Sequence, residues 1–187
     1  MKHDIFNTDT YAYMPWKNGL GTTCEIARKN KPDSEDFAWR VSIADVKNDG
    51  PFSNYNGYTR VICTLEGAGM YLNVDGVRSP DLLPYDPYVF SGASQTEGLL
   101  LDGAIRDFNL IYAPDLYHAR FQWINVAEPY VFCSEASDIL IYSVAGVNAA
   151  CDEFAVAIPA QGTVKIENPD CTLTRMVLSA DKSQQNN

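Results

Sequence analysis

Histidine is nearly absent from this 187-residue chain: His3 and His118 are the two it has. Metal sites of the paired-imidazole kind need two histidines and a carboxylate clustered on adjacent strands; His3 and His118 lie in no such cluster, which excludes that site, and no Asp-rich loop argues for a carboxylate-only one. Basic side chains are also scarce. Fourteen Lys and Arg stand against 24 Asp and Glu, a formal net charge of -10. Such a chain repels phosphate backbones and anionic membrane surfaces, so nucleic-acid and membrane partners are not expected. The five cysteines (Cys24, Cys63, Cys133, Cys151, Cys171) are scattered without a C-x-x-C pair. That argues against a disulfide or zinc framework and fits free thiols in a reducing, cytoplasmic setting. No apolar run approaches the about 20 residues that span a bilayer. The opening Met1-Lys2-His3-Asp4 leads into polar residues, not into a signal-peptide core. Helical periodicity longer than two turns is missing as well.

What is present is strand alternation punctuated by turns. Trp39 to Val46 places Val41 and Ile43 on one side and Arg40, Ser42 and Ala44 on the other. Short strands are predicted at 60–65, 69–74, 88–91, 98–102 and 108–113. Asn48-Asp49-Gly50-Pro51, Asn56-Gly57, Glu66-Gly67, Asp75-Gly76 and Ser91-Gly92 lie between strands as turn signals. The second half reads the same way, with strands at 119–126, 130–134, 139–145, 153–158, 162–167 and 172–178. The order from Arg60 to Pro87 (strand, glycine turn, second strand, proline-marked step) is echoed from Ile139 to Ala160. The pattern predicts an all-β chain in the form of a cupin-like double jelly-roll barrel, two units in one compact chain. Residues 1–114 are expected to form the first half, 115–180 a smaller second half, and 181–187 a disordered polar tail.

The run Met14-Pro-Trp-Lys-Asn-Gly-Leu-Gly-Thr-Thr-Cys-Glu-Ile26 packs more polar chemistry into one turn than a turn requires. It is similar to the N-terminal signature of the HutD/Ves family. Three later blocks agree with that family in order and spacing: Trp39 to Val46, Asp49 to Arg60 followed by Leu65-Glu66-Gly67, and Asp107-Phe-Asn-Leu110. The likeness covers about Tyr13 to Tyr112. It departs from the family pattern at Leu20, where a glycine is usual, at Cys24, where a basic residue is common, and after Asn109. The resemblance implies a cupin-like fold of two β halves. It also implies a binding or regulatory role towards a small carboxylate such as urocanate or a formylated glutamate, in some members beside histidine-utilisation enzymes. Other members are stress-associated proteins.

The residues themselves suggest how such a ligand would be held. Arg40 and Ser42 share one face of their strand, Thr23 and Glu25 one face of theirs. If the strands are neighbours, the four point the same way. A guanidinium forks onto a carboxylate, which makes Arg40 or Arg60 the natural anchor for a small anionic metabolite. Asn18, Thr23 and Asn109 would add neutral hydrogen bonds, and Trp16, Phe52, Tyr55 and Trp39 flat walls. The plainer readings are an Arg40–Glu25 cross-strand ion pair and a core role for Trp39. An alternative function is a metal-independent, isomerase-type enzyme with Glu25 as base, although no histidine accompanies it in the motif blocks. A third is a partner-binding protein. No cofactor is expected, and sheet edges of such a fold would allow a homodimer.

Overall fold

The computed structural model describes residues 1–16, 21–151 and 154–180. Among these, no α-helix is present, and no helix is long and apolar enough to cross a membrane. β1 (Lys2–Phe6) is followed by one 3-10 turn (Thr8–Thr10). Ten strands come next: β2 (Ala12–Pro15), β3 (Gly21–Asn30), β4 (Phe37–Val46), β5 (Gly50–Pro51), β6 (Thr59–Glu66), β7 (Met70–Val74), β8 (Val77–Arg78), β9 (Tyr88–Ser91), β10 (Thr96–Leu100) and β11 (Ile105–Tyr112). The remainder holds β12 (Tyr130–Ser134), β13 (Asp138–Tyr142), β14 (Val147–Cys151), β15 (Phe154–Ile158), β16 (Thr163–Glu167) and β17 (Thr174–Ala180).

The strands form two compact units, residues 12–123 and residues 1–11 with 124–187. In the larger unit, a six-stranded sheet of order β2-β3-β4-β11-β6-β9 and a four-stranded sheet of order β5-β10-β7-β8 share one apolar interior. Ala44, Val46, Ile62, Phe90 and Ile105 line it from the first sheet, Met70 and Leu72 from the second, with Leu82 between strands. In the smaller unit, β1-β16-β13 and β12-β17-β14-β15 do the same. Ile139, Val164 and Ile166 meet Val147, Ala149, Ile158, Met176 and Leu178 there. Each interior follows from period-2 alternation that sends one side of every strand inward.

The chain is all-β as expected, and each unit pairs two sheets that are open, each ending in edge strands. Two other expectations need correction. The division after residue 114 differs from the observed one: β1 pairs antiparallel with β16, Lys2 opposite Glu167, and so groups with the C-terminal part. The stretch 119–126 is not a strand. Its apolar residues are packing groups instead: Phe121 and Trp123 meet Phe108 with ring centroids 5.7 Å from it in both cases, and the Trp123 indole N–H donates to Cys63 Sγ at 3.1 Å. Ile124 and Val126 pack against the smaller unit's core. The expected tail, 181–187, lies outside the described residues.

β4 carries the site because it is central. It pairs with β3 on one side and β11 on the other, and β11 pairs onward with β6. Trp39, Val41 and Ile43 are buried on its outer face, so Trp39 is indeed a core residue. The inner face is left for Arg40, Ser42, Ala44 and Val46.

Candidate functional site

Register turns the alternation of five strands into three cross-sheet rows on the inner face of the larger unit. One row runs Thr23, Ala44, Asp107, Thr64; the next Glu25, Ser42, Asn109, Ile62; the third Arg40, Ile111, Arg60, Phe90. Directly opposed residues share a face, so Thr23, Glu25, Arg40, Ser42, Arg60 and Asn109 all point the same way. A β-bulge keeps Asp107 in line: Glu66 opposes Arg106 and Thr64 opposes Asp107, leaving Leu65 as the extra residue.

Polar groups on this inward face are tied together. Asn109 Nδ2 donates to Asp107 Oδ1 at 2.5 Å, and Arg60 Nη2 donates to Asn109 Oδ1 at 2.8 Å. Arg60 Nη1 reaches the Ser53 carbonyl at 3.2 Å. The three side chains are buried, Asp107 to 1%, Arg60 and Asn109 to 6% relative exposure. Burial pushes the Asp107 carboxyl up to about 7, against the attraction of Arg60, a backbone N–H bond at Ala44 and the Asn109 amide, while Asp45 adds repulsion. Arg60 is lowered, first by burial and also by Arg40, with Asp107 and Tyr55 acting the other way. It remains a cation, as guanidinium does in proteins.

Aromatic rings enclose the two guanidinium groups. Arg60 Cζ lies 5.3, 5.6 and 5.0 Å from the ring centroids of Phe52, Tyr55 and Phe90. Arg40 Cζ lies 5.1 and 5.2 Å from those of Phe37 and Tyr55, and its Nη2 donates to the Tyr55 hydroxyl at 2.9 Å. Phe52 and Tyr55 arrive on the loop after β5, which the backbone fastens down through Phe52 N to Thr96 O at 2.8 Å, Tyr55 N to Gly92 O at 2.6 Å and Gly92 N to Tyr58 O at 2.8 Å. The close approach needs glycine at two places. A Cβ on Gly92 would stand 2.4 Å from the Tyr55 carbonyl oxygen, and one on Gly98 2.8 Å from the Phe52 ring.

Both arginines have a buried Nε with no acceptor among the described residues. A buried donor left unmatched costs about 1–3 kcal/mol, more for a charged group. The cross-strand ion pair between Arg40 and Glu25 is not among the ion pairs of the described residues; Arg40 turns to Tyr55. What the arrangement can do chemically is hold an anion: two cations in an aromatic enclosure, with one neutral amide and one carboxyl behind them.

Thr23, Glu25 and Ser42 lie on the same sheet but outside this hydrogen-bonded cluster. Trp16 packs on the larger unit's core, and its indole N–H donates to Thr23 Oγ1 at 2.8 Å. Trp16 and Phe52 border one shallow depression together with Val46, Asn48 and Pro51. Ser42 is buried opposite Asn109, and Glu25 is half-buried opposite Ser42. Asn18 lies outside the described residues. Asp107 and Phe90 complete the cluster without having been singled out as site residues. Asp107 had a legible signal, since it alternates with Asn109; Phe90 had none beyond a strand aromatic.

A family model described as HutD matches residues 8–184, nearly the whole chain. The chain belongs to the HutD family. An uncharacterised 21.2 kDa protein in the hutC 3' region of Pseudomonas putida is 48% identical over 139 residues, 74% of this chain and 72% of that protein. Protein Ves of Cronobacter sakazakii is 32% identical over 132 residues, 70% of each chain. Among solved structures, HutD from Pseudomonas fluorescens SBW25 (formate condition) superposes with a TM-score of 0.84 at 38% identity, covering 96% of this chain and 94% of its own. The Pseudomonas aeruginosa PAO1 protein PA5104, of unknown function, gives 0.89 at 41% identity, covering 96% and 92%. Protein YlbA from E. coli, at 7% identity and a TM-score of 0.59 over 95% of this chain and 86% of its own, shares the fold alone.

Proposed function

We propose that this HutD-family protein binds a small carboxylate between Arg40 and Arg60, as a modulator of histidine utilisation that senses a pathway intermediate such as urocanate or formylglutamate. The observation that carries the reading is the pair of buried, unmatched Nε–H groups on neighbouring arginines, Arg60 among the rings of Phe52, Tyr55 and Phe90 and Arg40 against Phe37 and Tyr55. A carboxylate supplies the acceptors these donors lack and the negative charge that two desolvated cations call for. The aromatic rings suit a flat ligand. Within this reading, Thr23 and Asn109 add neutral polar character to the face, and Glu25 and Ser42 border it on the β3 side. The choice between urocanate and formylglutamate rests on the family link, not on the geometry.

The test is calorimetry and thermal melting with each acid, followed by chromatography of the recovered ligand. Saturation at tens of Kd should add about 2 kcal/mol of stability. The ligand should come back unconverted, and Arg60→Gln should abolish the shift. No shift with either acid, or conversion of the ligand, would overturn the reading.

A further inference from the structure

Asp107 is a carboxyl with almost no solvent exposure, on the inward face of a central strand, and the carboxylate site just described does not use it directly. Its connection to that site is a single continuous chain. Asn109 gives its amide N–H to Asp107 and receives Arg60 on its carbonyl oxygen, so one amide joins the buried acid to the buried cation. The charged and titratable groups acting on Asp107 come from three strands. β6 contributes Arg60 and, as a group that Asp107 itself affects, Cys63; β4 contributes Asp45 together with the Ala44 backbone; β11 contributes Asn109. Arg40 on β4 acts on Arg60. From the four-stranded sheet, Met70 and Leu72 are buried in this interior, and Val74 and Leu100 pack against it. Arg60 is therefore the one cation among the groups acting directly on Asp107.

From this geometry we infer that anion binding at Arg40 and Arg60 is coupled to uptake of one proton from solvent by Asp107. The inference rests on the carboxylate-binding reading and extends it. A bound anion cancels much of the field by which Arg60 holds Asp107 ionised, and among the described residues Arg60 is the one cation acting directly on that carboxyl. Protonating the carboxyl then relieves the repulsion between two negative charges in a poorly solvated space. No covalent bond changes: the proton leaves water or buffer and settles on a carboxylate oxygen. The raised titration range of Asp107 places this exchange near neutrality. The site thereby takes its ligand together with a proton and releases both as pH rises.

The experiment is isothermal calorimetry of the whole protein with urocanate and with formylglutamate, in buffers of different ionisation enthalpy, from pH 6.5 to about 8.5. The expected result is net proton uptake around and above neutrality, with affinity weakening by up to about tenfold per pH unit for a whole proton. In Asp107→Asn the uptake disappears and the pH dependence flattens. Binding by the native protein without proton uptake overturns the coupling and leaves the binding site intact; this arm does not require the variant to fold. Uptake that persists unchanged in a folded Asp107→Asn assigns the proton elsewhere and also overturns it. No binding of either acid at any pH overturns both the coupling and the reading beneath it.

Discussion

Arg40 and Arg60 share the ring of Tyr55, their guanidinium carbons 5.2 and 5.6 Å from its centroid. They stand in one row of the sheet with Ile111 between them. Two like charges held this way need an anion more than either would alone. Replacing Arg60 by Lys keeps one charge but loses the fork and the bond to Asn109. Carboxylate affinity should fall by about 1.4–2.7 kcal/mol, roughly 10- to 100-fold, with calorimetry as the measure. Unchanged affinity would remove Arg60 from the site.

The pH dependence of stability follows from Asp107. Its folded-state value, about 7, lies above the ordinary 3.8, so between those limits the folded chain binds more protons than the unfolded one. Its contribution is complete below pH about 4 and is lost as pH rises through about 7. Urea melts without ligand should show stability declining by a few kcal/mol across that window, other groups being equal. Asp107→Asn should flatten the decline. A slope identical in the two proteins would contradict the assignment.

Gly92 tests the loop that carries the rings. An added Cβ collides with the Tyr55 backbone oxygen, and backbone cannot step aside as a flexible side chain can. Gly92→Ala should cost about 1–3 kcal/mol in denaturant melts and weaken carboxylate binding as well, because Tyr55 moves off both arginines. Full stability with full binding would show that the loop is not fastened there.

Thiol reactivity separates the cysteines. Cys133 and Cys171 are exposed, whereas Cys24 and Cys63 are buried. Burial pushes the Cys63 thiol up to about 11, partly offset by the Trp123 N–H, and raises Cys24 as well. With a disulfide reagent at pH 8, Cys133 and Cys171 should be labelled rapidly, and Cys63 only on unfolding. Mass mapping of the labelled peptides decides it.

The inward face was readable from sequence because a strand's side-chain period is two and the motif blocks supplied neighbouring strands. Arg40 with Ser42, and Thr23 with Glu25, needed only register to become one surface. Asp107 was readable in position but not in condition: its burial comes from tertiary packing inside the two-sheet unit, which no local pattern announces. The reach of Phe52 and Tyr55 over Arg60 was only half visible. Their aromatic character was plain, yet their placement depends on backbone bonds to Thr96 and Gly92 some 40 residues later. The 119–126 stretch misled for the opposite reason. Phe121 and Trp123 have strand-like composition, but their apolar area is used to cover the outer side of Phe108 and Cys63.

The pairing of β1 with β16 has a consequence for the order in which the chain assembles. The larger unit is one uninterrupted segment, so every contact it needs is present once Trp123 has been synthesised. The smaller unit encloses that segment in sequence, and Lys2 has no Glu167 to pair with until most of the chain exists. The arginine-bearing sandwich can therefore form while its first strand is still waiting, and the last structure to close is the one that begins at the N-terminus.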